Sequence, residues 1–188
     1  IVAERDYLYR DTRDLQEIYE REIEENSWIK EHLAAGEQFG EYWVTGEYSY
    51  RGEHCASDGL LMAGDAFAFL DPVFSSGVFL ALKSGEMAAD AISGALEAGD
   101  VSAGQFLAYG EKLCQMIEVM RKLVYAFYDK DFSFAKLIKK HEEIRPMLTD
   151  CLIGDLDGKD YKPLAEAMSG LVSLPEPLGH GRVPQSVK

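Results

Sequence analysis

Positive charge, cysteine and long apolar runs are all scarce in this 188-residue chain, and each shortage removes a class of function. Nineteen Lys and Arg stand against 33 Asp and Glu, a formal charge of −14. Nucleic-acid phosphates and anionic lipid both require neutralising cations, so no nucleic acid is expected as a partner. The three cysteines, Cys55, Cys114 and Cys151, are odd in number and far apart. That pattern excludes a disulfide scaffold and a C-x-x-C metal site, and it suits a reducing, cytoplasmic setting. His32, His54, His141 and His180 lack metal-ligand spacing, so no metal is predicted. No run approaches the roughly twenty apolar residues of a membrane span, and no transmembrane segment is predicted.

What is present is a globular composition, 47% hydrophobic, of a length that fits one domain or one domain with an appended tail. Residues 59–85, GLLMAGDAFAFLDPVFSSGVFLALKSG, carry the chemistry. Leu60 to Ala63 form a short apolar run bounded by glycines, of the kind that fits a buried parallel strand. Asp65 follows at the strand's carboxyl end, where open α/β sheets bind ligands, and an ionised Asp suits a hydroxyl donor such as a ribose or ribityl chain. Pro72 fixes its own φ and makes a stiff wall for a flat ligand. From Phe79 to Leu96 small and apolar residues recur at helical spacing, which places Ser75, Ser76 and Gly77 at a helix start, where free N–H groups favour an anion. No G-x-S-x-G elbow surrounds the serines, so capping and backbone donation are their expected roles.

The run GDAFAFLDPVFSSGV resembles the second flavin-binding motif of FAD-dependent monooxygenases of the hydroxybenzoate-hydroxylase fold. With Asp71-Pro72, Phe74-Ser75-Ser76-Gly77-Val78 and the preceding Tyr48-Ser49-Tyr50-Arg51, it is most similar to the flavin-dependent halogenase branch. The resemblance implies FAD as cofactor, with Asp65 on the ribityl chain, Gly64 in the same turn, Pro72 beside the isoalloxazine ring and the amides from Ser75 to Val78 facing the pyrimidine edge. In a halogenase Ser76-Gly77 would also offer backbone contacts to a halide. The implied reaction runs through a flavin hydroperoxide that is attacked by halide or, in a hydroxylase, by an electron-rich substrate. The implied partners are a small-molecule or carrier-tethered substrate, a flavin reductase and a halide ion. The family's G-x-G-x-x-G fingerprint, its lysine and its W-x-W-x-I-P pattern are not found here, and no catalytic residue is assigned.

The resemblance therefore implies an α/β class: the C-terminal, mainly helical part of an FAD-binding Rossmann-like fold, with a few strands. Residues 1–99 are expected to be the end of the FAD-binding domain, 100–172 a helical region and 173–188 an extended or disordered tail rich in Pro and Gly. Within this frame the spacing predicts helices over 12–25, capped by Asp11-Thr12, and from Ser27 to Ala35, then a strand over 41–51. After the motif helix, which should stop at Gly99, Ser102 and Gln105 suggest a capping box for a long amphipathic helix ending near Phe127. Shorter helices are expected over 132–142 and from Pro163 to about Val172. The dense aromatics at 125–134 either close over an active site or form a subunit contact. Two other functions fit the same residues: a geranylgeranyl-reductase-type flavoprotein that reduces lipid double bonds, and a helical binding module with no catalysis.

Overall fold

The computed structural model describes residues 1–46 and 49–183. It divides into two compact units, Ile1–Glu47 and Tyr48–Lys188.

In the first unit, α1 (Arg5–Leu8), α2 (Leu15–Glu25) and α3 (Ser27–Leu33) follow one another. The cap of α2 is Asp14 rather than Asp11-Thr12: its carboxylate accepts the amides of Gln16 and Glu17. A carboxylate reaches the second and third amides of the helix and complements its dipole, and Thr12 instead accepts the amide of Asp14. Arg10 bridges Glu22 and Glu25, each at 2.9 Å, so part of the negative charge of α2 is paired.

The second unit holds everything else. Its strands are two residues each: β1 (Tyr50–Arg51), β2 (Ala56–Ser57), β3 (Leu60–Leu61) and β4 (Ala68–Phe69). They pair β1 with β4 and β2 with β3, both antiparallel. The expected buried parallel strand over 60–63 is therefore an antiparallel hairpin arm, with Leu60 55% exposed. Its cause is local. Asp58-Gly59 is a two-residue connection, and Gly59 takes φ +69°, which closes a hairpin before a crossover can form. The strand expected over 41–51 is likewise confined to Tyr50 and Arg51 among the described residues; Glu47 and Tyr48 lie outside them.

The helices match their sequence signals more closely. α4 (Gly77–Ala98) ends at Gly99, left-handed at φ +65°. α5 (Leu107–Tyr128) buries the stripe that runs through Leu113, Ile117, Met120 and Val124. That stripe is core, not a pocket lining. Asp100, not Ser102, caps the turn before α5, accepting the Ser102 amide at 2.8 Å and the Gln105 amide group at 2.9 Å. α6 (Phe134–Lys140), α7 (Arg145–Leu152) and α8 (Lys162–Ser169) close the core behind α5. Pro146 and Pro163 sit in the first turns of α7 and α8, where the missing N–H costs nothing. Gly85 of α4 is exposed, and an added Cβ there would meet nothing within 4 Å, so it serves no close approach to a neighbouring element.

Residues 173–183 carry no helix or strand, yet they are tied down. Arg51, with its side chain 2% exposed, donates to the Leu178 and His180 carbonyls at 2.8 and 2.6 Å and to Glu118 at 2.7 Å. Arg121 grips the other side of Glu118 and the Glu176 carbonyl. Further on, His54 and Gly181 form a parallel bridge and Val183 is buried. A Pro/Gly-rich composition removes regular ladders but does not prevent arginines from anchoring backbone carbonyls.

All three cysteines are reduced and fully buried. Burial pushes the Cys55 thiol up to about 11 and the Cys151 thiol up to about 12, and raises that of Cys114. The native state therefore holds these protons more tightly than the unfolded chain, whose thiols titrate near about 8.5. The linked stability is complete below that value and is lost as pH climbs toward 11. At pH 8 a disulfide dye should label no thiol in the folded protein and three on denaturation. Fast labelling of even one thiol in the native state would contradict the core arrangement.

Candidate functional site

The geometry of a ligand cradle is assembled here from local chain reversals. After β3 the backbone enters a single 3₁₀ turn, Gly64–Ala66, and packs it against α4. Gly64 is left-handed at φ +54°, and an added Cβ would lie 3.0 Å from the Ala81 Cβ and 3.2 Å from its Cα. Only glycine allows that approach. Ser84, buried on α4, accepts the Gly64 amide at 2.8 Å and donates to the Ala81 carbonyl at 3.1 Å, which locks turn to helix. The Tyr50 hydroxyl donates to the Asp65 carbonyl oxygen. Held in this way by its backbone, Asp65 presents an exposed carboxylate.

The second reversal is built on Asp71. Its carboxylate accepts the Val73 amide at 3.0 Å and the Tyr128 hydroxyl at 2.9 Å, which starts a 3₁₀ turn with Pro72 in first position. Ser75 ends that turn in the left-handed region at φ +52°, the one non-glycine residue to do so among the described residues. Such a conformation costs about 1–2 kcal/mol and is retained where its surroundings impose it. Ser76 is buried and precedes α4, but its side chain makes no capping hydrogen bond. Leu80 is the first residue of α4 whose amide finds an acceptor, the Ser76 carbonyl at 2.9 Å. The amides of Gly77, Val78 and Phe79 have none among the described residues. They are left to an incoming group, and a helix start favours an anionic one.

Between the two reversals lies an open concavity of about 470 Å³, lined by Ala63, Gly64, Asp65, Phe69, Gly77, Val78 and Ala81. Of the residues singled out in the sequence, Gly64, Asp65, Gly77 and Val78 meet there. Pro72 and Ser75 are exposed on the adjoining turn, and Ser76 is buried under it. An added Cβ on Gly77 would meet no protein atom within 4 Å, so the space beside it is free for a ligand. The lining is largely apolar, with one carboxylate and a set of unpaired amides, which fits a flat, mixed polar and apolar group such as a flavin.

Three supports escaped the sequence reading: Ser84, the hydroxyl of Tyr50 and the hydroxyl of Tyr128. Each acts across at least fifteen residues of chain, and no local signal marks such a partner. Phe74, on the motif itself, packs edge-on against Phe127 at 5.3 Å and Phe134 at 6.2 Å, so the aromatics of 125–134 cluster beside the motif. Among the described residues there is no metal-binding cluster and no helix long and apolar enough to cross a membrane.

No protein-family model matches the chain. A 1H-pyrrole-2-carbonyl-(peptidyl-carrier protein) brominase of Pseudoalteromonas luteoviolacea is 38% identical over 53% of this chain and 25% of its own length. The corresponding chlorinase of Pseudomonas fluorescens is 27% identical over 88% of this chain and 37% of its own length. The solved structure of the flavin-dependent brominase Bmp2 superposes with a TM-score of 0.71 at 25% identity, covering 88% of this chain and 42% of that one. The chain is thus similar to flavin-dependent halogenases in sequence and in its mainly helical fold, and it spans less than half the length of each of these proteins.

Proposed function

We propose that the chain is part of an FAD-dependent halogenase, in which it supplies the helical portion of a Rossmann-like FAD-binding fold. The observation that carries this reading is the start of α4: Gly77 and Val78, whose amides have no acceptor among the described residues, line a concavity that Asp65 also lines. Asp65 would accept hydroxyl groups of the ribityl chain, and Pro72 would bound the ring system. The amides at Gly77 and Val78 would stabilise negative charge on the ring's pyrimidine edge and, through Ser76-Gly77, a halide. Bound FAD, reduced by a flavin reductase, would supply the oxygen activation needed to oxidise halide. This chain's own share is binding, orientation and electrostatics. The likeness to pyrrolyl brominases and chlorinases favours halogenation of an electron-rich ring over hydroxylation or lipid reduction, and it suggests that the ring arrives on a carrier protein.

The test is the visible spectrum and product of the full-length protein beside its Asp65→Ala variant. The wild type should retain FAD and give product only with chloride or bromide present. The variant should hold flavin at least about tenfold more weakly, the loss of one or two charge-assisted hydrogen bonds. A colourless protein after FAD addition would overturn the reading, and halide-independent reduction of a lipid double bond would replace it.

A further inference from the structure

Ion pairing of the lysines is uneven along the chain, and among the described residues Arg5, Arg13 and Arg145 also lack a carboxylate partner. Among the described residues, Lys30, Lys83, Lys112, Lys159 and Lys162 are each ion-paired with a carboxylate. None of Lys122, Lys130, Lys136, Lys139 and Lys140 is. Among the described residues every unpaired lysine thus falls within one stretch, from late α5 through α6, in a chain of formal charge −14. Over residues 129–140 there are four lysines against two aspartates. One of those aspartates, Asp129, is turned back onto the Asp131 amide at 2.9 Å. Lys136 and Lys140 reach only backbone carbonyls, at 3.4 Å, and Lys139 reaches nothing. Of the two acids that follow, Glu143 lies 3.5 Å from His141 and Glu142 is exposed, so the stretch 129–143 holds four lysines and four acids.

Stabilisation of α6 explains only part of this. Lys139 and Lys140 in the last turn favour the helix dipole, but Lys130 and Lys136 lie outside that turn. With 33 carboxylates in the chain, an unpaired strip is a departure from the pattern that the other lysines follow. Its position is equally specific. α6 begins at Phe134, whose ring meets Phe74 at 6.2 Å and Phe132 at 5.0 Å. Phe74 immediately precedes Ser75 of the motif. The aromatics between are open to solvent, Phe127 at 43% and Tyr128 at 51%. A cationic helix therefore borders an exposed aromatic surface that leads to the candidate site.

Resting on the halogenase reading above, we propose that α6 and the preceding loop are the docking surface for an acidic carrier protein. Its tethered acyl group would cross the Phe127–Phe134 cluster to reach the site. Unpaired lysines steer and orient an anionic partner, and the apolar ring edges accept the linker and its aromatic cargo without competing for that charge.

The test uses the full-length, FAD-loaded protein with pyrrole-2-carbonyl loaded on a peptidyl carrier protein. In the variant Lys136→Glu/Lys139→Glu/Lys140→Glu, KM for that substrate should rise by about tenfold or more while kcat at saturation stays within about twofold. The steep fall of kcat/KM with added salt should flatten, and carrier carboxylates changed to lysine should restore binding. Charge reversal at Lys30 and Lys162 is the control and should leave KM unchanged. A wild type that halogenates the loaded carrier, with a triple variant of unaltered KM and salt response, would overturn the docking surface and leave the halogenase reading standing. A wild type that halogenates only the free ring would also overturn it. A wild type that retains no FAD would remove the functional reading on which it rests.

Discussion

Gly64→Ala should destabilise the Tyr48–Lys188 unit by roughly 2–4 kcal/mol and displace the turn that carries Asp65 in the proposed flavin site. Two penalties combine. The residue sits at φ +54°, where any side chain is strained, and its Cβ would meet the Ala81 backbone and side chain at 3.2 and 3.0 Å. Neither Ala81 atom is a flexible tip that can swing aside, so the 3₁₀ turn must lift from α4. That motion breaks the Gly64–Ser84 hydrogen bond and shifts Asp65, which the turn carries. Chemical denaturation of this chain reads the first effect, and flavin retention by the full-length protein reads the second. Gly59→Ala is the matched control: it shares the positive φ, at +69°, but meets nothing within 4 Å. It should lose only about 1–2 kcal/mol and leave flavin binding alone. Equal losses at the two glycines would mean that backbone conformation alone, and not the packing of the turn on α4, sets the site.

Arg51→Met should lower stability by a similar amount, about 2–4 kcal/mol, through a different cause. The substitution preserves volume and removes a charge that is 98% covered, since the side chain is 2% exposed. Glu118 keeps Arg121 as its partner at 2.9 Å. The His180 carbonyl, however, loses its donor, the Leu178 carbonyl is left with only Arg182 at 3.4 Å, and the Arg51 Nε, already buried without a partner, disappears. Losing that unpartnered nitrogen offsets a fraction of the loss. For a unit of this size the melting temperature should fall by roughly 5–15 °C. Residues 173–183 should also become the first site of proteolysis, because nothing else of comparable strength holds the Leu178–His180 stretch. A melting temperature within about 2 °C of wild type would show that the clasp holds the segment without stabilising the fold, as balanced buried ion pairs sometimes do.

These expectations separate what each level of structure contributes. Helices α4 and α5 were readable because their signals are local and repeated: apolar residues at 3.6 spacing over 22 residues each, with the first closed by a left-handed glycine. The site motif was readable for the same reason, since Gly64, Asp65, Gly77 and Val78 lie within fifteen residues of each other. Pairing direction was not. The apolar run at 60–63 suits a parallel or an antiparallel strand equally, and the deciding feature was the two-residue Asp58-Gly59 link rather than the run itself. Helix α7 was obscured because Pro146 reads as a breaker in mid-helix and as a good starter in the first turn, and only the packed core fixes which applies. Asp14 and Asp100 displaced the expected caps at Thr12 and Ser102, since several short polar side chains stood within reach of the same amides.

By itself, the sequence determined the acidic character of the chain, the length and faces of its two long helices, and the order of parts in the ligand motif, all of which depend on neighbours within a few turns. Only the tertiary structure decided that Gly64 must be glycine, that Arg51 anchors the Leu178–His180 stretch, that Tyr50 and Tyr128 brace the two reversals, and that one set of lysines remains unpaired. Each of these is a contact between residues from fifteen to 129 positions apart, or the absence of one. Hydrogen bonds, close approach and ion pairing depend on distance in space, and that distance exists only once the chain has folded.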